Sequence, residues 1–128
     1  MEISKTSPDD LGTMRNMWDA AVTFQKDTGN PVWPGFPENL MLKEIEDGLN
    51  YKITSENIIL CYFSIAFSDP VIWGEREKGD ALYLHRGVTN PAFRGLGLTH
   101  FIFEWARVMA RLTGRKYIRI DTWVVTGL

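Results

Sequence analysis

The chain has 128 residues and a formal net charge of −2, and 45% of its residues are hydrophobic and 23% are charged. This length predicts a single domain over residues 1–128, since domains typically contain about 100–200 residues. The composition excludes an intrinsically disordered chain, and the slightly acidic balance excludes a generally basic nucleic-acid-binding protein.

A short strand and two helices are predicted in the N-terminal part of the chain. Residues 2–5 form the strand, and Ser7 with Pro8 begins a helix whose apolar residues recur at helical spacing. The following segment, 31–37, contains three prolines and a glycine and is predicted to be irregular. A second helix is expected over about 37–47, and its apolar positions are Leu40, Leu42 and Ile45.

The remaining sequence predicts strands around one long amphipathic helix. The strands are expected over 51–54, 58–67, 81–89 and 116–123. A loop occupies 68–80, and the helix runs from residue 97 to about residue 112 with a broad apolar stripe. This element order predicts an α+β domain with a central mixed β-sheet.

No feature of the sequence indicates export or membrane insertion. Cys61 is the single cysteine, so no intramolecular disulfide can form, and its apolar neighbours predict a buried residue rather than a catalytic thiol. The N-terminus lacks the apolar stretch of a signal peptide, and the run 58–67 is about half the length of a membrane span. We therefore expect a cytoplasmic protein without a membrane partner.

The segment that joins strand 81–89 to the long helix carries a phosphate-binding pattern. It reads Asn90-Pro91-Ala92-Phe93-Arg94-Gly95-Leu96-Gly97-Leu98-Thr99. Glycines let the backbone approach a ligand closely, the first amides of a helix lack internal partners, and Arg94 adds a positive charge. The segment lacks the Lys of a Walker loop and the third glycine of a Rossmann fingerprint.

The pattern Pro91-x-x-Arg94-Gly95-x-Gly97, between a strand and an amphipathic helix, resembles the acyl-CoA-binding motif of the Gcn5-related N-acetyltransferases (GNAT). The element order resembles that family over essentially the whole chain. The resemblance implies a GNAT-like acyl-CoA N-acyltransferase fold, a mixed sheet flanked by helices, with acetyl-CoA as cosubstrate and no metal. It also implies that the pyrophosphate of CoA is wrapped by Arg94, Gly95, Leu96, Gly97, Leu98 and Thr99.

The resemblance also assigns a role to the end of the preceding strand. The backbone of Val88 and Thr89 would pair with the pantetheine arm, and a bulge there would direct one N–H at the thioester oxyanion. Thr89 stands where the family usually has valine, and Thr99 stands where it usually has glycine or alanine. Both contacts are mainly through the backbone, so we expect binding to persist, and the Thr99 hydroxyl can join the phosphate contacts.

Members of the family continue beyond the fifth strand with another helix and two strands, and a tyrosine there protonates the leaving thiolate. The present sequence reaches Asp121-Thr122-Trp123 and ends at Leu128, without a counterpart of that tyrosine. We therefore expect a C-terminally truncated form of the fold. Its unpaired fifth strand, around Tyr117, Ile118 and Ile120, predicts a homodimer through that edge.

His85 is the candidate general base. In this family a primary amine attacks the thioester, and an amine with a pKa of about 10.4 must first lose a proton. Histidine as a residue type exchanges protons near neutral pH, and His85 lies close to the expected thioester. Strict alternation along the strand places the His85 side chain on the opposite face of the sheet from Leu82, Leu84 and Val88. The alternative is a packed or surface histidine, and His100 is expected to be structural or a phosphate neighbour.

Three loop residues are candidates for the acceptor pocket. They are Trp33 in the proline-rich segment, and Trp73 and Glu75 in the loop before strand 81–89. Glu75 would attract an ammonium group. The alternative is that the tryptophans cover the sheet and that Glu75 belongs to a solvated run of charges.

The sequence thus predicts an N-acetyltransferase that transfers an acetyl group from acetyl-CoA to a primary amine by direct attack. The alternative is a truncated, catalytically impaired acyl-CoA-binding domain. Residues 84–128 carry 7 Lys and Arg against 2 Asp and Glu, which raises nucleic acid as a third partner. The arginines lack interleaved aromatics and the whole chain is acidic, so no nucleic-acid partner is expected.

Overall fold

Five β-strands form one sheet in the computed structural model, which describes residues 1–67, 79–93 and 95–120 and only the backbone of Arg86. The strands are β1 (Glu2–Lys5), β2 (Asn50–Ser55), β3 (Ile58–Ala66), β4 (Ala81–Thr89) and β5 (Tyr117–Ile120). They lie side by side in chain order, and all neighbours are antiparallel except β4 and β5, which are parallel. The mixed sheet confirms the predicted fold class.

Three helices pack against the sheet. They are α1 (Leu11–Asp27), α2 (Glu38–Glu46) and α3 (Leu98–Leu112). A 3-10 turn over Pro8–Asp10 leads into α1, and the Ser7 N–H donates to Asp10 Oδ2 at 2.8 Å, which fixes the predicted helix start. In the described residues no helix is both long and apolar enough to cross a membrane.

The sheet buries a different hydrophobic cluster on each face, because alternate residues of a strand point to opposite sides. One cluster joins α3, through Leu98, Ile102, Ala106 and Ala110, to sheet residues that include Phe63, Leu82 and Leu84. The other joins α1 and α2 to the sheet and consists of Met14, Met17, Trp18, Ala21, Met41, Ile59, Tyr62 and Val88. Cys61 is buried as expected, and burial raises the pKa of its thiol to about 12.

The buried face of α2 differs from the face that the sequence predicted. Leu40 and Leu42, expected inside, are 42% and 38% exposed, whereas Met41 and Glu44 are buried. Residues two apart lie on opposite sides of a helix, so Leu40 and Leu42 cannot share a face, while Met41, Glu44 and Ile45 have the i, i+3, i+4 spacing that does. A carboxylate therefore occupies a core position.

A β-bulge in β4 overturns the strict alternation expected for that strand. Cys61 and Tyr62 pair with Thr89 and Val88, but Ser64 pairs with His85, so residues 86–87 of β4 lie opposite one residue of β3. The extra residue reverses the face of the sheet to which each following side chain of β4 points. Val88 therefore shares the α1 side with His85, which corrects the expectation that the two are opposite.

The remaining predicted elements agree with the described residues to within about two positions. The long helix begins at Leu98, one residue after Gly97, and β4 has the predicted bounds. The fifth strand was expected over 116–123, and its described part is Tyr117–Ile120. Residues 68–78 of the predicted loop and residues 121–128 lie outside the described residues.

Candidate functional site

A cavity of about 390 Å³ opens at the N-terminus of α3, next to the end of β4. It is lined by Thr89, Phe93, Gly95, Leu96, Gly97, Leu98 and Thr99. The fold thus brings the residues predicted for cofactor binding together around one space, with two exceptions. Val88 is buried in the cluster below α1, and Arg94 lies outside the described residues.

The two cavity glycines are required by backbone conformation. Gly95 has φ +75° and Gly97 has φ +70°, and both values lie in the left-handed region that side chains disfavour. A Cβ added at either position would meet no atom within 4 Å. The space beside each glycine is therefore open, so a ligand can approach the backbone there.

Hydrogen-bond donors converge on this space. The Phe101 N–H donates to the Gly97 carbonyl at 3.2 Å, so the amides of Leu98, Thr99 and His100 precede the first helical bond of α3. The Thr99 hydroxyl oxygen is buried and has no hydrogen-bond partner within the described part of the chain. Free amides, an unpartnered hydroxyl and the positive end of the helix dipole fit an anionic group such as a pyrophosphate.

The end of β4 presents its backbone beside this cavity. In the described residues, β5 pairs with β4 only from Ala81 to Leu84. From His85 to Thr89, the edge of β4 on the β5 side therefore has no described strand partner. The Thr89 side chain is buried, and its hydroxyl lies 3.9 Å from the Cys61 sulfur. Val88 and Thr89 have buried side chains, so at these two residues the edge can offer an extended ligand its backbone groups.

His85 is buried on the α2 side of the sheet, since only 8% of its surface is exposed. Its ring stacks on Tyr83, with centroids 6.2 Å apart and an interplanar angle of 4°. The Tyr83 hydroxyl in turn accepts a hydrogen bond from Arg119 at 2.9 Å. In the sequence of β4, His85 directly precedes the bulge at residues 86–87. The other histidine, His100, is exposed on the first turn of α3.

A buried polar cluster beside His85 was missed by the sequence analysis. Glu44 accepts hydrogen bonds from Ser64 Oγ at 2.5 Å and from Asn50 Nδ2 at 3.1 Å. Asn50 also accepts a hydrogen bond from the Thr6 hydroxyl at 2.8 Å. The only sequence signal for this cluster was the helical spacing that places Glu44 beside Met41 and Ile45.

Trp33 packs on α1. Its ring lies 4.5 Å from that of Trp18, and its backbone N–H donates to Gln25 Oε1 at 2.8 Å. Trp18 Nε1 donates to the Pro34 carbonyl at 2.9 Å, so the proline-rich segment is fixed to the helix. These contacts show Trp33 covering the core, and its role in an acceptor pocket stays a prediction.

Several other expectations concern the periphery of the site. Trp73 and Glu75 lie outside the described residues. Tyr117 and Ile120 on β5 are 53% and 44% exposed, as expected, whereas Ile118 is partly buried because it packs against the cluster under α3. Among the described residues no group of His, Cys, Asp or Glu side chains could hold a metal ion.

Comparisons with known proteins identify the fold. No family model matches the chain, and no curated protein is significantly similar to it in sequence. A GNAT-family acetyltransferase from Listeria monocytogenes is similar in structure, with a TM-score of 0.79, 20% identity, and coverage of 94% of this chain and 76% of that one. Another, from Streptococcus agalactiae, has a TM-score of 0.69, 18% identity, and coverage of 94% and 75%.

A third similar structure contains a bound cosubstrate. It is a Clostridium acetobutylicum protein, named as a predicted acetyltransferase, whose structure contains acetyl-CoA. The TM-score is 0.63 at 12% identity, and the match covers 95% of this chain and 80% of that one. The chain therefore has the GNAT acyl-CoA N-acyltransferase fold.

Proposed function

We propose that this chain is a single-domain N-acetyltransferase that transfers an acetyl group from acetyl-CoA to a primary amine. The observation that carries the proposal is the cavity at the N-terminus of α3, with its two left-handed glycines and its unpartnered Thr99 hydroxyl. These features fit the pyrophosphate of CoA. The shared fold supports the assignment, since one similar structure contains acetyl-CoA.

The chain's backbone supplies most of the proposed binding contacts. Amides at the start of α3 and the Thr99 hydroxyl would donate to the pyrophosphate, and Arg94 would add its charge. The unpaired edge of β4 at Val88 and Thr89 would pair with the pantetheine arm, as a strand pairs with a peptide. This arrangement would place the thioester next to the bulge at residues 86–87, where a backbone N–H can stabilise the oxyanion.

His85 is proposed to accept the proton that the amine must lose. The substrate ammonium gives a proton to the imidazole, and the free amine then forms a C–N bond with the acetyl carbon while the C–S bond breaks. The CoA thiolate leaves and takes the second proton of the attacking nitrogen, so the products are the amide, the CoA thiol and the protonated imidazole. Trp33, Trp73 and Glu75 stay the proposed contacts of the acceptor.

The first experiment is a calorimetric titration with acetyl-CoA of the wild type and of Gly97→Ala. Gly114→Ala is the matched control, because Gly114 has φ +73° with nothing within 4 Å of an added Cβ, but follows the other end of α3. Each substitution costs about 1 kcal/mol of backbone strain. We expect weaker binding only in Gly97→Ala and in Arg94→Ala, and a folded wild type that binds no acetyl-CoA would contradict the proposal.

The second experiment separates transfer from binding alone. Release of the CoA thiol is followed with a thiol reagent over a panel of small amines, peptides and lysine-containing proteins. The protein itself adds little background, because its single cysteine is buried. An amine that accelerates release in the wild type but not in His85→Gln supports the transferase. Tight binding without acceleration by any amine supports the alternative, an acyl-CoA-binding domain without turnover.

A further inference from the structure

A row of polar side chains crosses the sheet beneath α2. Ser64 on β3 is the direct register partner of both Asn50 on β2 and His85 on β4, so the three side chains point to the same face. Glu44 of α2 lies over this row and accepts hydrogen bonds from Ser64 and Asn50. We infer that Glu44, acting through Ser64, is a positioning residue for His85 in the proposed reaction.

Glu44 occupies a buried position on α2 that faces the sheet. Only 7% of Glu44 is exposed, and moving a carboxylate out of water costs several kcal/mol unless partners compensate. Its neighbour on the same helix face is the fully buried Met41, so a hydrophobic residue would fit the local pattern of α2. Glu44 instead lies over Ser64, the register partner of His85, and bonds to it, and that placement points to a role in holding the imidazole.

Ser64 has the hydrogen-bonding capacity to link Glu44 to His85. A hydroxyl has one donor and two acceptor lone pairs. Ser64 donates its hydrogen to Glu44 and accepts from Asn50 Nδ2 at 3.4 Å, which leaves one lone pair for an N–H of His85. Directly paired side chains have Cβ atoms about 4.5–5.5 Å apart, within reach of such a bond.

This link would set the tautomer of the imidazole. An N–H directed at Ser64 would fix which of the two tautomers the imidazole adopts. On the other side, Tyr83 stacks on the ring and is itself held by Arg119, which keeps the imidazole in place.

The test compares Glu44→Gln and Ser64→Ala with Glu46→Gln, which removes an exposed carboxylate from the same helix. The ¹⁵N spectrum of the imidazole reports which ring nitrogen carries the proton. The chain has two histidines, so signals that are missing from His85→Gln belong to His85. We expect both Glu44→Gln and Ser64→Ala to move the His85 signals and to lower kcat by about 10- to 100-fold, with KM for acetyl-CoA unchanged. Glu46→Gln should change neither quantity.

The inference rests on the proposed function, but the two can fail separately. If the His85 signals stay unchanged in folded Glu44→Gln and Ser64→Ala, the positioning role is refuted, even where kcat falls. If the signals move while the wild type acetylates no amine, the link to His85 is supported and the proposed function fails. Should Glu44→Gln not fold, Ser64→Ala alone decides, because it removes only the bridging hydroxyl.

Discussion

Replacing Thr99 by valine is expected to stabilise the free protein and to weaken its binding of acetyl-CoA. The hydroxyl oxygen of Thr99 is buried and has no hydrogen-bond partner in the described residues, and it borders the cavity at the start of α3. Valine has nearly the same shape and is also β-branched, so the substitution removes the polar group with little change in packing. The gain in stability and the loss of affinity for acetyl-CoA thus both result from removing one hydroxyl group.

The magnitudes follow from the energetics of hydrogen bonds. A buried polar group without a partner costs about 1–3 kcal/mol, so Thr99→Val should gain about 1 kcal/mol, or about 4 °C in Tm for a chain of this size. A hydrogen bond to a charged group contributes about 1.5–3 kcal/mol. Its loss should raise the Kd for acetyl-CoA by about 10- to 100-fold.

Thermal unfolding and calorimetric titration measure both effects on the same samples. Thr113→Val is the control, because the Thr113 hydroxyl already donates to the Met109 carbonyl at 2.8 Å beyond the other end of α3. That variant should lose about 1 kcal/mol of stability and keep its affinity for acetyl-CoA. A Thr99→Val protein with a lower Tm and unchanged affinity would refute the reasoning, since the hydroxyl would then have a partner in the free protein and none in the ligand.

Three further predictions concern stability, reactivity and assembly. Partial burial tends to raise the pKa of Asp10, but its bonds to Lys52 and Ser7 outweigh this and hold the pKa below 3.8. Asp10→Asn should therefore lower Tm by about 2–4 °C at neutral pH, since a partly exposed ion pair contributes up to about 1 kcal/mol, and the difference should vanish as the pH falls through that lowered value in thermal melts. Cys61, whose pKa is raised to about 12 by burial, should react with a thiol reagent only as fast as the protein unfolds, and rapid labelling of the native state would contradict its placement. We expect a dimer through the β5 edge around Tyr117 and Ile120, and light scattering that shows a monomer at high concentration would exclude it.

The binding loop could be predicted from the sequence because its signals are local. Two glycines before an amphipathic helix determine where the backbone can adopt a positive φ and where helix amides lack partners. The structure adds that the two threonines have different surroundings. The Thr99 hydroxyl borders the cavity and has no hydrogen-bond partner among the described residues, whereas the Thr89 side chain is buried against Cys61.

The site around His85 was less accessible to prediction. The resemblance predicted a bulge at the end of β4, but alternation along the strand placed Val88 opposite His85. The pairing with β3 locates the bulge at residues 86–87, and the extra residue brings the two side chains to the same face. Glu44 was missed for a similar reason, since a glutamate in a short helix is expected in solvent. Its hydrogen-bond partners come from β2 and β3, and no spacing within α2 identifies them.

The sequence by itself determined the order of the elements, the bounds of β4, the start of α3 and the glycine loop between them. Each of these depends on hydrophobic periodicity or on the conformational range of single residues, which are properties of neighbouring residues in the chain. Only the tertiary structure decided which face of α2 is buried, where β4 changes face, and that Asn50, Ser64 and His85 form one row under Glu44. These features arise from register and packing between elements far apart in sequence, because a buried polar group is stable only where the fold supplies its partners.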